Sequence, residues 1–212
     1  MRTTFDIDEL VNDLQPVRRL HIWQPVALTA LMTMIAVFSI ASVYGLRADI
    51  MAGHMHPMAM LRAGVLLLLG VATMLATIAT ARPAVGRNST GWRWALAMAA
   101  LFPMTALVLA VIETPVSLEA LHMTLGMYCL RISFISALLI GGTLTLWLRQ
   151  GAPTSLTQAG WLTGLAAGSF GTFAFSLHCP ETGIYYIGLW YSLSVALSAL
   201  IGRLLVPPLI RW

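Results

Sequence analysis

The chain has 212 residues, 58% of them hydrophobic and 9% charged, against roughly 25% charged in a soluble domain, which excludes an ordinary water-soluble fold. The net charge of +4 comes from twelve arginines with no lysine. It is too small and too scattered for a groove that tracks nucleic-acid phosphates. Residues 4–14, "TFDIDELVNDL", are acidic where a cleavable signal would be basic and then apolar. The first apolar segment is therefore expected to stay in the membrane.

The first element is residues 5–20, "FDIDELVNDLQPVRRL". Ile7, Leu10, Val11 and Leu14 recur at helical spacing along one face. Acidic residues come early and Arg18 and Arg19 late, as a helix dipole favours. Pro16 ends or bends the helix near Gln15. So short a helix is marginal alone and needs a surface to pack on. The plain reading is a helix lying on lipid headgroups, which its acidic face opposes. The sharper reading is a docking helix for a cytosolic partner, formed by Ile7, Leu10, Val11, Leu14, Arg18 and Arg19.

Apolar stretches long enough to cross a bilayer core of about 30 Å follow at 26–46, 63–81, 94–112, 132–148, 159–177 and 184–202. The expected fold is all-α: a polytopic integral membrane protein with six transmembrane helices, divided into a 1–24 amphipathic segment and a 25–212 membrane domain. Arg2, Arg18, Arg19, Arg82, Arg87, Arg93, Arg149, Arg203 and Arg211 fall on one side, and only Arg47 and Arg62 on the other. The positive-inside bias places both termini in the cytoplasm. Loops 47–62, 113–125 and 178–183 are then external.

The first external loop contains "GHMHPMAM", with His54, Met55, His56 and Met58 spaced as an extended loop would hold them. With His122 and His178 these are candidate accessory ligands for a soft or borderline metal such as copper, zinc or cadmium. The plain reading is that methionine is common in membrane helices and their ends. No established zinc spacing is present, because Cys129 and Cys179 are 50 residues apart. The third span tolerates Pro103 if neighbours satisfy the freed carbonyl. The fourth is expected to begin near Gly126, with Arg131 snorkelling to the interface rather than activating Cys129, since residues two apart leave a helix on different sides. In the fifth, Gly160, Gly164 and Gly168 form a small-residue face for close packing. Loops 82–93 and 149–158 are cytoplasmic and open as additional partner contacts.

Between the last two spans the chain reads "FAFSLHCPETGIYYIGLWYSL". Pro180 pushes Cys179 out of helical geometry, and the tight turn is expected to hold its thiol at the external surface. This "CPE" followed by an aromatic helix with Trp190 and Tyr191, together with "LVNDLQPVRRL" ahead of six spans, resembles the NrsF family of negative regulators of sigma factor, with Cys129 as the matching second cysteine. Thr182-Gly183 stands where that family often has an Asp-Ser-Pro-like turn. The resemblance implies a bacterial inner-membrane anti-sigma factor. Its cytoplasmic side would retain an extracytoplasmic-function sigma factor, released when a heavy metal or oxidant acts on Cys129 and Cys179.

The two cysteines can form a disulfide if their Cα atoms approach within about 4.4–6.8 Å, which requires the fourth helix beside the fifth and sixth. They can equally be ligands for a soft metal ion as the signal; no obligatory cofactor is expected. A metal-binding or metal-transport role is the alternative, opposed by spans almost bare of ionisable residues at mid-membrane. Catalysis is not expected, since no C-x-x-C or buried polar constellation is present.

Overall fold

A computed structural model of the protein describes residues 21–54, 56–81, 99–100, 103–104, 107–108 and 122–211. The predicted docking helix with Ile7, Leu10, Val11, Leu14, Arg18 and Arg19 lies outside these residues, as do Met55, loop 82–93 and most of the third predicted span. The regular structure among the described residues is all helical, with no strand among them. The helices are α1 (Trp23–Tyr44), a single turn α2 (Ala48–Met51), α3 (Pro57–Thr80), α4 (Met123–Leu148), α5 (Leu156–Ser176) and α6 (Ile184–Ile210). Of these, α1, α3, α4 and α6 are long and apolar enough to cross a membrane.

The start of α3 departs from expectation. The predicted extended "HMHPM" loop is already helix from Pro57, with proline at the first position, where its missing N–H costs nothing. His56 caps that end, its Nδ1 accepting from the Met58 amide at 3.2 Å. Met58 packs half-buried against the core beneath it. Helix α4 also begins earlier than the apolar pattern indicated, at Met123.

At the centre lies α5, packed on α3, α4 and α6, with α1 against α4 and α5. Sixteen of its 21 residues are buried, and they include four glycines, two threonines and two serines. A helix surrounded by other helices does not need a leucine surface, which is why α5 is less apolar than its neighbours. In lipid no hydrophobic force drives helices together, so close van der Waals approach of small residues does that work. A Cβ on Gly160 would lie 2.8 Å from the Gly202 carbonyl. One on Gly164 would collide with the Ser198 carbonyl and sit 2.7 Å from Ala199 Cα. The predicted glycine face is thus the α5–α6 seam. A fourth glycine, Gly171, faces α4, where a Cβ would sit 2.8 Å from the Ala137 amide.

Several hydroxyls inside the bundle are satisfied locally. Thr73, Thr163 and Ser169 donate to carbonyls one turn back at 2.6, 2.7 and 2.7 Å. Thr172 donates across the seam to Ser194 at 3.1 Å.

Gly164→Ala drives a methyl into fixed backbone and should destabilise by about 1–3 kcal/mol. Gly142→Ala, where a Cβ meets nothing within 4 Å, should be neutral. Thermal unfolding of the two variants in one detergent distinguishes them, and equal midpoints would refute the seam.

Candidate functional site

The connection from α5 to α6 is held by two arginines. Helix α5 ends as the His178 and Cys179 amides both turn back to the Phe175 carbonyl, at 2.9 and 3.1 Å. Pro180 prevents the helix from continuing. From the second turn of α3, Arg62 enters beneath this segment and is completely buried. Its guanidinium donates to the Ser176 carbonyl at 3.0 Å, to the Cys179 carbonyl at 2.7 Å and to the Glu181 carbonyl. It also lies 5.5 Å from the centroid of the Tyr191 ring. No carboxylate pairs with it among the described residues; carbonyl dipoles and an aromatic face compensate the charge instead.

Arg47 reaches the same point from the loop after α1. Its Nη1 donates to the Cys179 carbonyl at 2.7 Å, and its amide donates to Leu177 at 3.3 Å. Its Nε and Nη2 form a fork on Asp49, both at 2.8 Å. Asp49 also accepts from the amides of Ile50 and His56 at 3.0 and 3.2 Å. These contacts, led by Arg47, hold the Asp49 carboxyl well below the usual carboxylate range.

The sequence suggested a thiol displayed at the surface, but Cys179 is wholly buried. With its carbonyl drawn down by two guanidinium groups, the turn closes over the side chain. Cys179 Sγ donates to the Tyr186 hydroxyl at 3.9 Å. Cys129 is equally buried and lies 4.0 Å from Ser133 Oγ. Both are free thiols and belong to one core cluster with Tyr186, Trp190 and Tyr191. Helix α4 packs on both α5 and α6.

The aromatic side chains reach this cluster through a π-turn at Ile187–Tyr191, where one residue more than an α-helix allows is wound into the turn. Tyr186, Ile187, Trp190 and Tyr191 are all buried there. The Trp190 indole occupies the space that any side chain on Gly126 would need. This glycine was read only as a helix start.

The histidines do not converge. His54 Nδ1 donates to the Ala52 carbonyl and His178 Nδ1 to the Gly45 carbonyl, each at 2.8 Å. His56 caps α3. His122 Nε2 lies 3.5 Å from the Glu181 carboxylate. Among the described residues, no three side chains of His, Cys, Asp or Glu gather as a metal-binding group. His54 and His56 instead line an open hollow of about 690 Å³ with Arg47, Asp49 and Pro180. Arg131 is exposed on α4.

Together, these features define an all-helical protein with four helices suited to a membrane, packed around a polar-threaded central helix, with two buried thiols by a clamped turn. The family description "NrsF: Negative regulator of sigma F" matches residues 10–212, and the chain belongs to that family. It is 33% identical over 172 residues to the anti-sigma-F factor NrsF of Caulobacter vibrioides, covering 78% of each chain. It is 43% identical over 61 residues to the probable anti-sigma-F factor NrsF of Azospira oryzae, covering 29% of each. No solved structure matches.

Arg47 and Arg62 are the site residues that the sequence reading missed. The available signal was their position as the two cations on the arginine-poor side.

Arg62→Leu removes the donor from the Ser176 and Glu181 carbonyls, leaves the Cys179 carbonyl to Arg47 alone, and should destabilise the turn by on the order of 3 kcal/mol. In a Cys129→Ser background, maleimide labelling of Cys179 should then accelerate; an unchanged rate would show that the clamp does not keep the thiol covered. A second expectation concerns acid. Because the folded-state pKa of Asp49 lies below its unfolded value of 3.8, its contribution is full above that value. It is lost as pH falls through the folded one. Asp49→Asn should lower the unfolding midpoint at neutral pH and flatten its fall between about pH 4 and 2; parallel profiles would reject this.

Proposed function

We propose that the chain is a six-span anti-sigma factor of the bacterial inner membrane, with both termini in the cytoplasm. It retains an extracytoplasmic-function sigma factor and releases it when a heavy metal or an oxidant acts on Cys129 and Cys179. The observation that carries this reading is the pair of buried free thiols, one on α4 and one in the turn between α5 and α6, within one packed cluster. Family membership supplies the negative regulation of a sigma factor. The arginine distribution supports the orientation, and the third predicted span and α5 complete the six. Ile7, Leu10, Val11, Leu14, Arg18 and Arg19 are the partner face.

For a peroxide, the chemistry balances as follows. One thiolate attacks the peroxide oxygen, giving a sulfenic acid and an alcohol or water. The second thiol condenses with that sulfenic acid, forming the disulfide and releasing water. A soft metal ion would instead be held by the two thiolates after loss of both protons. Either product ties α4 to the α5–α6 turn. The covering turn must move first, and Arg62 connects that movement to α3. A tenfold loss of partner affinity requires only about 1.4 kcal/mol, well within what repacking a few helices supplies.

The test is co-purification from the source bacterium, with mass spectrometry of bound proteins. A sigma factor should accompany the native chain and be lost from a Leu10→Asp/Leu14→Asp variant. It should be released by cadmium or peroxide from the native chain and retained by Cys129→Ser/Cys179→Ser. Retention by the aspartate variant would remove the docking helix, and release from the serine variant would remove the thiol sensor.

A further inference from the structure

At the end of the bundle opposite the cysteines, an open apolar groove runs between α4 and α6, with α5 as its floor. It is lined along α4 from Phe134 through Gly142 to Arg149, along α5 by Thr163 and Ala167, and along α6 from Ser198 to Leu209. Its volume is about 360 Å³. From Phe134 to Arg149 the helix rises roughly 22 Å, within the ~30 Å hydrocarbon thickness of a bilayer. Volume over length gives a mean cross-section of roughly 16 Å², a slot for a single extended chain. A helix, about 10 Å across with its side chains, needs several times that section.

The polar group is at the end of the groove. Arg149 follows the last residue of α4, is exposed, and forms no ion pair with a described residue. An apolar slot with a cation at its mouth is complementary to a lipid with an anionic headgroup. We propose that this groove binds one acyl chain of an anionic phospholipid, its phosphate on Arg149. The site rests on membrane insertion alone and is independent of the sigma-factor reading.

Its floor gives it consequence. Gly164, Ser198 and Gly202 line the groove and also form the α5–α6 seam. A lipid seated there contacts the junction that fixes how α6 lies on α5, so the anionic lipid content of the membrane bears on the packing of the bundle.

The full chain is reconstituted in lipid discs of equal parts phosphatidylglycerol and phosphatidylcholine, extracted in mild detergent and weighed by native mass spectrometry. The native protein should retain one lipid, with phosphatidylglycerol preferred about fivefold, the contribution expected of one arginine beside an anionic headgroup. Arg149→Gln should retain a lipid without preference. Gly142→Leu, which grows into open space, should retain none; Leu138→Phe narrows the slot from a second position should the first variant fail to fold. Equal lipid retention by the native protein and a folded groove-filling variant overturns the proposal. So does a lipid-free native monomer. A lipid-free native dimer that Gly142→Leu converts to monomer also overturns it, by showing that a second copy fills the groove.

Discussion

A buried arginine in a helical membrane protein must find compensation for its charge inside the protein, and Arg62 finds it in backbone rather than in a carboxylate. Three carbonyls from the end of α5 and the turn after it point at one guanidinium, and the Tyr191 ring lies alongside. The end of a helix leaves carbonyls without partners, and the proline after Cys179 ensures that no further helical turn supplies them. The cation and the orphaned carbonyls thus solve each other's problem. Arg47 repeats the contact on Cys179 from the other side. The path of the chain between α5 and α6, the burial of Cys179 and the start of α6 all follow from this constraint.

The same constraint ties the thiols to the rest of the bundle. Arg62 belongs to α3, Arg47 to the loop after α1, Cys129 to α4 and Cys179 to the α5–α6 turn. Four separate parts of the chain therefore meet at one point. Under the proposed sensing, a change in bonding at either sulfur would act on the closure of the turn and, through Arg62, on α3. Farther along, α5 is gripped by α6 through glycine-on-glycine contact, a rigid seam with little room to slide. A disturbance at the cysteine end is for that reason expected to move helices as bodies rather than to be absorbed by side-chain adjustment. The π-turn at Ile187–Tyr191, with Trp190 laid on Gly126, lies where such a movement would begin.

Composition and patterning showed the membrane class, the helical fold and the glycine face of α5 without any structure. Each depends on a local property: residue hydropathy over some twenty positions, or small residues one turn apart. The two cysteines were legible as a candidate pair, and the structure buries both in one cluster. The histidine and methionine run "GHMHPMAM" was legible as a cluster in sequence but is not one in space. Pro57 starts a helix there, and His56 is turned into its cap, His54 to its own loop and Met58 to the core.

The arginines divide what sequence determines from what tertiary structure decides. Counting charges assigns Arg47 and Arg62 to a side of the membrane, because the positive-inside bias depends on number and location along the chain. That Arg62 turns inward and lies 2.7 Å from the Cys179 carbonyl, 117 residues away in sequence, depends on α3 packing beside the end of α5. No periodicity encodes such a contact. Whether Cys179 is exposed or buried followed the same division: the local "CPETG" pattern specified a turn, and only the long-range pull of two guanidinium groups on its carbonyl determined which way the thiol faces.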